Sequence, residues 1–323
     1  MNILVAGGAG YIGSCCTEYL IERDHRVVVY DSLVKGHREA VHPCAAFVHG
    51  DIRDRELLAD TLRNHDIQGV IHFAAFIEVG ESMTDPGLYF DNNVGAGIRM
   101  LQTAASCGVR NVVFSSTAAT YGMPDRVPIP ETCPTVPINP YGESKLMFEH
   151  VLHWFHELHG VSFAALRYFN AAGATETFGE DHAPETHLIP ILLQVATGQR
   201  DSISIFGDDY DTPDGTCIRD YVHVTDLAQA HLLALESEEA GSFNLGSGSG
   251  YSVRELVDVA RRVTGHPIPC ETACRRPGDP PRLISDSSKA RRVLGWKPER
   301  DDLEAIISDA WEWKRRHPNG YAA

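Results

Sequence analysis

Short runs of consecutive apolar residues alternate with helix-length segments through the first half of the chain. The runs are Ile3–Ala6, Arg26–Tyr30, Ala46–His49, Val70–Phe73, Val112–Ser115 and Phe163–Tyr168. Apolar residues in succession, rather than at every second position, suit strands covered on both faces. Their regular separation by helical segments predicts an α/β fold, a Rossmann-type doubly wound parallel sheet. Such sheets bind ligands at the carboxyl ends of their strands. Asp51 and Ile52 follow the third run, and Phe73, Ala74 and Ala75 end the fourth, so both groups belong to that edge.

Beyond residue 170 the pattern loosens. Gly, Pro, Asp and Thr are dense from Ala171 to Pro190 and again from Gly207 to Gly215. Arg219–Val224 has strand character and Leu227–Leu235 is helical. Phe243–Leu245 reads as a strand entering the turn Gly246-Ser247-Gly248, and a helix follows from Ser252, a residue suited to cap it, to Thr264. The division this implies is a dinucleotide-binding domain over residues 1–170, to which a segment around 217–236 returns, and a smaller α/β substrate domain over residues 171–323.

Composition narrows the range of partners. The chain has 323 residues, 43% hydrophobic, with a net charge of −16. That charge argues against nucleic acid and anionic membranes as partners, and it means an anionic ligand must be held by locally placed arginines. No apolar stretch is long enough to span a bilayer, and the first strand begins at once, so a cytoplasmic location is expected. The eight cysteines are scattered, with only Cys270 and Cys274 close together, and the sixteen histidines form no ligand motif. Reduced thiols and no metal are the expectation.

The candidate chemistry starts at the N-terminus. Ile3–Ala6 runs directly into Gly7-Gly8-Ala9-Gly10-Tyr11-Ile12-Gly13, and a helical pattern follows through Leu20 and Ile21. A glycine turn between strand and helix lets backbone N–H groups approach a pyrophosphate at the helix N-terminus, where the dipole favours negative charge. The glycines fall at Gly7, Gly10 and Gly13. The second strand ends at Asp31, where a carboxylate accepts from ribose hydroxyls and repels a 2′-phosphate, so NAD is favoured over NADP. Further along, Tyr141 and Lys145 stand four residues apart and would share one face of a helix. A cation beside a phenol favours the phenolate, the form that removes a proton from an alcohol.

These strings, with Asp91-Asn92-Asn93-Val94, Ser115–Gly122, Asn139–Lys145, Arg167–Asn170, Asp214–Thr216, Arg219–Tyr221 and Arg275–Asp279, resemble the extended short-chain dehydrogenase/reductase family. Within it the resemblance is to the UDP-galactose (UDP-glucose) 4-epimerases, and it covers essentially the whole chain. It implies reversible interconversion of UDP-galactose and UDP-glucose by transient oxidation at C4, with tightly held NAD and a 4-ketopyranose intermediate. It assigns Tyr141 as base, Thr117 as proton relay and Lys145 as the group that holds the nicotinamide ribose.

The NAD contacts it implies are Tyr11, Ile12, Asp31, Asp51, Ile52, Phe73, Ala74, Ala75, Asn92, Ser115, Tyr141, Lys145 and Tyr168. The UDP contacts are Asn170, Leu188, Phe206, Arg219, Tyr221, Arg276 and Asp279, with His187 where some relatives have Asn. Guanidinium forks such as those of Arg219 and Arg276 suit phosphate oxygens. Ile77 replaces a lysine that some members use near the cofactor phosphates. Leu283 matches the position whose bulk limits the sugar pocket and is intermediate in size, which leaves N-acetylated UDP-sugars open as alternative substrates.

A decarboxylase or dehydratase on the same scaffold is the competing reaction class. Thr117-Ala118-Ala119 lacks the acidic pair that dehydratases carry there. The resemblance also implies a homodimer built on helices starting near Asn92 and Tyr141. Leu146, Phe148, Val151, Leu152 and Phe155 form the compatible apolar face.

Overall fold

The computed structural model describes residues 1–276 and 278–321. The first half runs β1 (Asn2–Ala6), α1 (Tyr11–Ile21), β2 (Arg26–Asp31), β3 (Ala46–His49), α2 (Arg55–Asn64), β4 (Gly69–His72), the single turns α3 (Val79–Ser82) and α4 (Pro86–Tyr89), α5 (Gly97–Ser106), β5 (Asn111–Thr117), α6 (Pro140–His159) and β6 (Ser162–Tyr168). The second half runs β7 (Asn170–Ala172), α7 (Leu188–Ala196), β8 (Ile203–Phe206), β9 (Ile218–Arg219), β10 (Tyr221–His223), α8 (Val224–Glu236), β11 (Gly241–Leu245), β12 (Tyr251–Ser252), α9 (Val253–Thr264), β13 (Cys270–Ala273), β14 (Arg282–Leu283), α10 (Ser288–Val293) and α11 (Leu303–Arg316).

The apolar runs pair as a seven-stranded parallel sheet in the order β11-β6-β5-β4-β1-β2-β3. Strand order reverses between β1 and β4, which opens a crevice at their carboxyl ends. Gly7, Phe73, Thr117 and Tyr168 therefore converge on one edge. Both faces of the sheet are covered: Ile3, Val5 and Val29 pack with α1 and α8 on one side, and Leu4, Val28 and Val112 pack with α2, α5 and α6 on the other.

The chain passes between the halves more often than a cut at residue 170 with one return at 217–236 implies. Besides α8, β11 joins the large sheet beside β6, and Ala290, Leu294 and Trp296 complete the same core. Trp296 is fully buried and its indole N–H donates to Asp226 O at 2.9 Å. Phe243–Leu245 reads as a strand, but pairing over such a sequence distance leaves no local sign that its partner is β6. The remaining core gathers Ile189, Leu192, Ile203, Leu256 and Ile306 around small sheets. Its α9 begins with a capping box between Ser252 and Glu255.

Two helices shape the crevice. A wide-turned segment, Phe90–Ala96, carries Asn92 and Asn93 into α5. Asn139 caps α6 by accepting from Gly142 N at 2.8 Å, and Pro140 occupies its first turn. On α6, Leu146, Phe148 and Leu152 are buried in the core of their own chain, whereas Met147, Trp154 and Leu158 are exposed. The apolar face expected at a dimer contact is thus partly intramolecular, and a different stripe faces outward.

Candidate active site

The turn after β1 has no room for side chains. Gly7 has φ +80°, and a Cβ there would lie 2.5 Å from Ala74 N. A Cβ on Gly13 would come within 2.8 Å of Gly8 Cα. The loop is therefore held against Phe73 and Ala74, whose N–H groups both donate to Ala6 O, at 2.7 and 3.0 Å. Backbone packed this closely at the start of α1 is a cradle for a diphosphate. Asp31 sits beside it at the end of β2, buried, accepting from Ala9 N at 2.9 Å and Leu33 N at 2.8 Å. A carboxylate accepts about four hydrogen bonds, so two remain for ribose hydroxyls. The donor set, cradle and carboxylate fit NAD.

The other expected cofactor residues fall around that cradle with varied partners. Tyr11 is buried and its hydroxyl donates to Gly173 O at 2.6 Å, while the neighbouring Ile12 is half-buried. Asp51 is bidentate with Arg53, whose hydrogen bonds hold its carboxyl below the usual range, and Ile52 packs into the core beneath it. Ala75 is half-buried just beyond Ala74, and Ile77 is exposed. Asn92 donates to Asn93 at 3.1 Å. Asn93, fully buried, grips Phe76 through both its amide atoms, at 2.9 and 3.0 Å, and donates to Ser144 at 3.0 Å. It ties the loop after β4 to α6.

Tyr141, Lys145 and Thr117 meet where α6 abuts the end of β5. Gly142 makes this possible, because a Cβ there would lie 2.6 Å from Ala119 O. Thr117 Oγ1 accepts from Ala119 N at 3.1 Å, and the Thr117 hydroxyl is near enough to the Tyr141 phenol to lower its pKa. Lys145 is buried; its ammonium donates to Ser115 O at 2.8 Å and lies 5.9 Å from the centre of the Tyr141 ring. Ser115 is also hydrogen-bonded to the Tyr168 hydroxyl. Tyr141 is half-buried, and burial of its phenol raises the pKa, with the nearby Thr117 hydroxyl acting in the opposite sense. Burial also pulls Lys145 down to about 7, opposed by Glu149. The expected lowering of the phenol by Lys145 is not what the structure shows: burial is the largest cause at both groups, raising Tyr141 and lowering Lys145.

Glu149 belongs to a buried network that sequence reading passed over. Its carboxylate accepts from Arg167 Nε at 2.9 Å, Ser116 Oγ at 2.5 Å and Ser242 Oγ at 3.1 Å. Arg167 continues to Tyr121 OH at 2.9 Å, and Tyr121 to Asn244 at 2.7 Å. The i, i+4 spacing of Lys145 and Glu149 was the available signal. The network bolts α6 to β5, β6 and β11.

The expected substrate residues form linked pairs in the second half of the chain. Asn170 is in register with Tyr221, and its amide donates to Asp220 O at 2.7 Å. Arg219 is in register with Leu283 and ion-paired with Asp279. The Arg276 guanidinium stacks 4.0 Å over the Phe206 ring. Asp220 is buried and pins the turn after β11 by accepting from Ser247 N at 2.7 Å and Gly248 N at 3.1 Å. Leu188 begins α7 and is half-buried. His187, just before it, turns Nδ1 toward Glu180 and hydrogen-bonds to none of these residues.

One grouping had no precedent in the sequence reading. Glu180, His182, Glu185 and His187 come together in the loop before α7. Their spacing, Glu-x-His-x-x-Glu-x-His, is visible in the sequence, but only the loop's course makes the four side chains converge.

Residues 3–246 match the model of the NAD dependent epimerase/dehydratase family. The UDP-glucose 4-epimerase of Streptococcus mutans serotype c is 57% identical, the alignment covering 99% of both chains. A crystal structure of a UDP-glucose 4-epimerase superposes with a TM-score of 0.98 at 49% identity, over 100% of each chain. The Brucella ovis UDP-glucose 4-epimerase in complex with NAD superposes with a TM-score of 0.93 at 47% identity, over 96% of this chain and 97% of that one.

Proposed function

The chain belongs to the NAD-dependent epimerase/dehydratase family, and on that footing we propose that it interconverts UDP-galactose and UDP-glucose at C4 of the hexose. The observation that carries this reading is the meeting of Tyr141, Thr117 and Lys145 at the sheet edge that also bears the glycine turn. Arg219 and Arg276 support it as groups suited to a diphosphate. NAD, when bound, supplies a positively charged ring that accepts a hydride from C4 and gives it back.

The chain's own residues handle the proton and the geometry. Tyr141 takes the proton of the 4-hydroxyl, directly or through Thr117, and C4 becomes a ketone. Burial disfavours both phenolate and ammonium in the protein alone, so a cation arriving in the crevice shifts Tyr141 toward the phenolate. Lys145 is anchored by Ser115 O and orients toward ribose hydroxyls. The ketone then turns about its diphosphate linkage and presents its other face, and Tyr141 returns the proton as C4 is reduced. This requires a firmly held UDP and a loosely held sugar. Arg219, Arg276, Asn170, Tyr221, Phe206, Leu188, His187 and Asp279 supply the grip in this reading, with Asp279 released from Arg219 to meet ribose. Leu283 borders the sugar. The large sheet with its returning segments forms the cofactor domain, and the elements around α7 and α9 form the substrate domain.

Met147, part-exposed Val151, Trp154 and Leu158 make an apolar stripe along α6 that suits a second copy of this chain. A homodimer through that stripe is part of the reading. Among the described residues, no helix is long and apolar enough to cross a membrane.

Purified protein should convert UDP-galactose to UDP-glucose without added NAD. Tyr141→Phe should lower kcat by about 10²–10⁴-fold, the usual contribution of a positioned acid–base group. An unchanged kcat in that variant removes Tyr141 from the proton transfer.

A further inference from the structure

The loop between β7 and α7 draws two carboxylates and two imidazoles to one point, none of them among the reacting groups. Donor atoms of Glu180, His182, Glu185 and His187 all lie within 4.8 Å of one another. His182 Nδ1 is 3.1 Å from Glu180 Oε1, His187 Nδ1 contacts the same oxygen, and His187 Nδ1 is 3.9 Å from Glu185 Oε1. The Glu180 and Glu185 side chains are only 7% and 5% exposed. Two carboxylates withdrawn from water side by side repel each other and lose hydration, so they need positive charge beside them. The paired imidazoles give it when protonated, and a dication would give it in their place.

The surroundings leave room for an ion there. Asp181 is already committed elsewhere, accepting from Tyr321 N at 2.8 Å and lying 3.6 Å from His37 Nε2. It fixes the loop backbone while its neighbours on either side point into the cluster. A cavity of about 40 Å³ adjoins the cluster, lined in part by Glu180, His182, Glu185 and Lys314. A single water needs roughly 10–15 Å³ on that measure, so the space admits an ion with a completing water.

We propose that Glu180, His182, Glu185 and His187 bind one transition-metal dication, zinc being the best match. Mixed imidazole and carboxylate donors without thiolate suit zinc and its first-row neighbours, whereas magnesium and calcium take oxygen donors. Zinc holds such ligands at about 2.0–2.2 Å, which puts tetrahedral donors about 3.3 Å apart. The 3.1 Å pair is already near that value, and the widest separation closes by side-chain rotation. The two carboxylates balance the ion's charge. Coordination requires neutral imidazoles, so any proton they share with Glu180 leaves as the metal enters.

The site also bears on the substrate side. Ligation through Nδ1 fixes the His187 tautomer with its proton on Nε2, the atom left over for a diphosphate oxygen. The metal thus orders the entry to α7 without touching Tyr141, Lys145 or Thr117.

The test uses full-length protein free of any affinity tag, stripped with a chelator and titrated with Co(II), followed by visible absorption. Zinc content and the shift of Tm on adding Zn(II) are measured in parallel. One Co(II) per chain with the intense bands of a four- or five-coordinate site is expected, together with a zinc-dependent rise in Tm. His182→Ala and Glu185→Gln should weaken Co(II) binding at least about 100-fold and abolish the Tm shift, with NAD content and circular dichroism showing that they remain folded. No saturable Co(II) binding by the unaltered protein, or equal binding by the variants, overturns the proposal. The unaltered protein alone decides the first point even if a variant fails to fold.

Discussion

Burial acts against charge at both members of the Tyr141–Lys145 pair, raising the phenol and lowering the ammonium to about 7. The pair itself is legible as two residues four apart, but the size of the desolvation is not, since it depends on β5 and on the crevice wall. His72 shows the same physics in a group the sequence did not single out. It is buried at the end of β4 against Phe114 and Phe148, Nδ1 has no partner among the described residues, and burial together with Lys145 lowers it to about 3. His231 is likewise lowered to about 4 by burial. With folded pKa values below the unfolded 6.5, the unfolded chain binds more protons between those limits, so stability falls as pH drops below 6.5. Each histidine contributes about 1.4 kcal/mol per pH unit in that window. Urea unfolding at pH 7 and pH 5 should therefore show a smaller acid loss in His72→Phe than in the unaltered protein. An equal loss in both refutes the role of His72.

At the scale of elements, α6 is positioned by one absent side chain. Asn139 and Pro140 could be read as a helix start, and the capping bond to Gly142 N is there. The reason for glycine at 142 lies in Ala119 O, on a turn twenty-three residues earlier in the chain. Gly142→Ala must move α6 or that turn, because the obstructing atom is backbone. Alanine stabilises a helix over glycine by about 1 kcal/mol, so thermal stability should change little. Misplacing Tyr141 by about 1 Å should lower kcat about 10²-fold. A variant with unchanged kcat would show that the close approach is not needed for catalysis. The strands of the first half and the Ser252 cap were readable from local pattern. The place of β11 in the large sheet was not, because its partner β6 lies more than seventy residues away, and the four-ligand loop required the fold to close it.

Over the whole molecule, the sheet puts the glycine turn and the Tyr141 group on one edge, and the second half brings arginines to an otherwise acidic chain of net charge −16. Composition shows only that an anionic ligand needs local arginines; the family resemblance is what singles out Arg219 and Arg276. The exposed stripe on α6 sets the expected assembly. Sedimentation equilibrium should give a dimer, and Trp154→Glu with Leu158→Glu should give a monomer; a monomer before substitution contradicts the stripe's role. The central claim is that C4 is oxidised and reduced by one hydride that never exchanges with solvent. Its most direct test is turnover of UDP-galactose in D₂O without added NAD, with the UDP-glucose product examined by proton NMR. The expected result is conversion with protium fully retained at C4. Deuterium at C4, or no conversion until NAD is added, would contradict it.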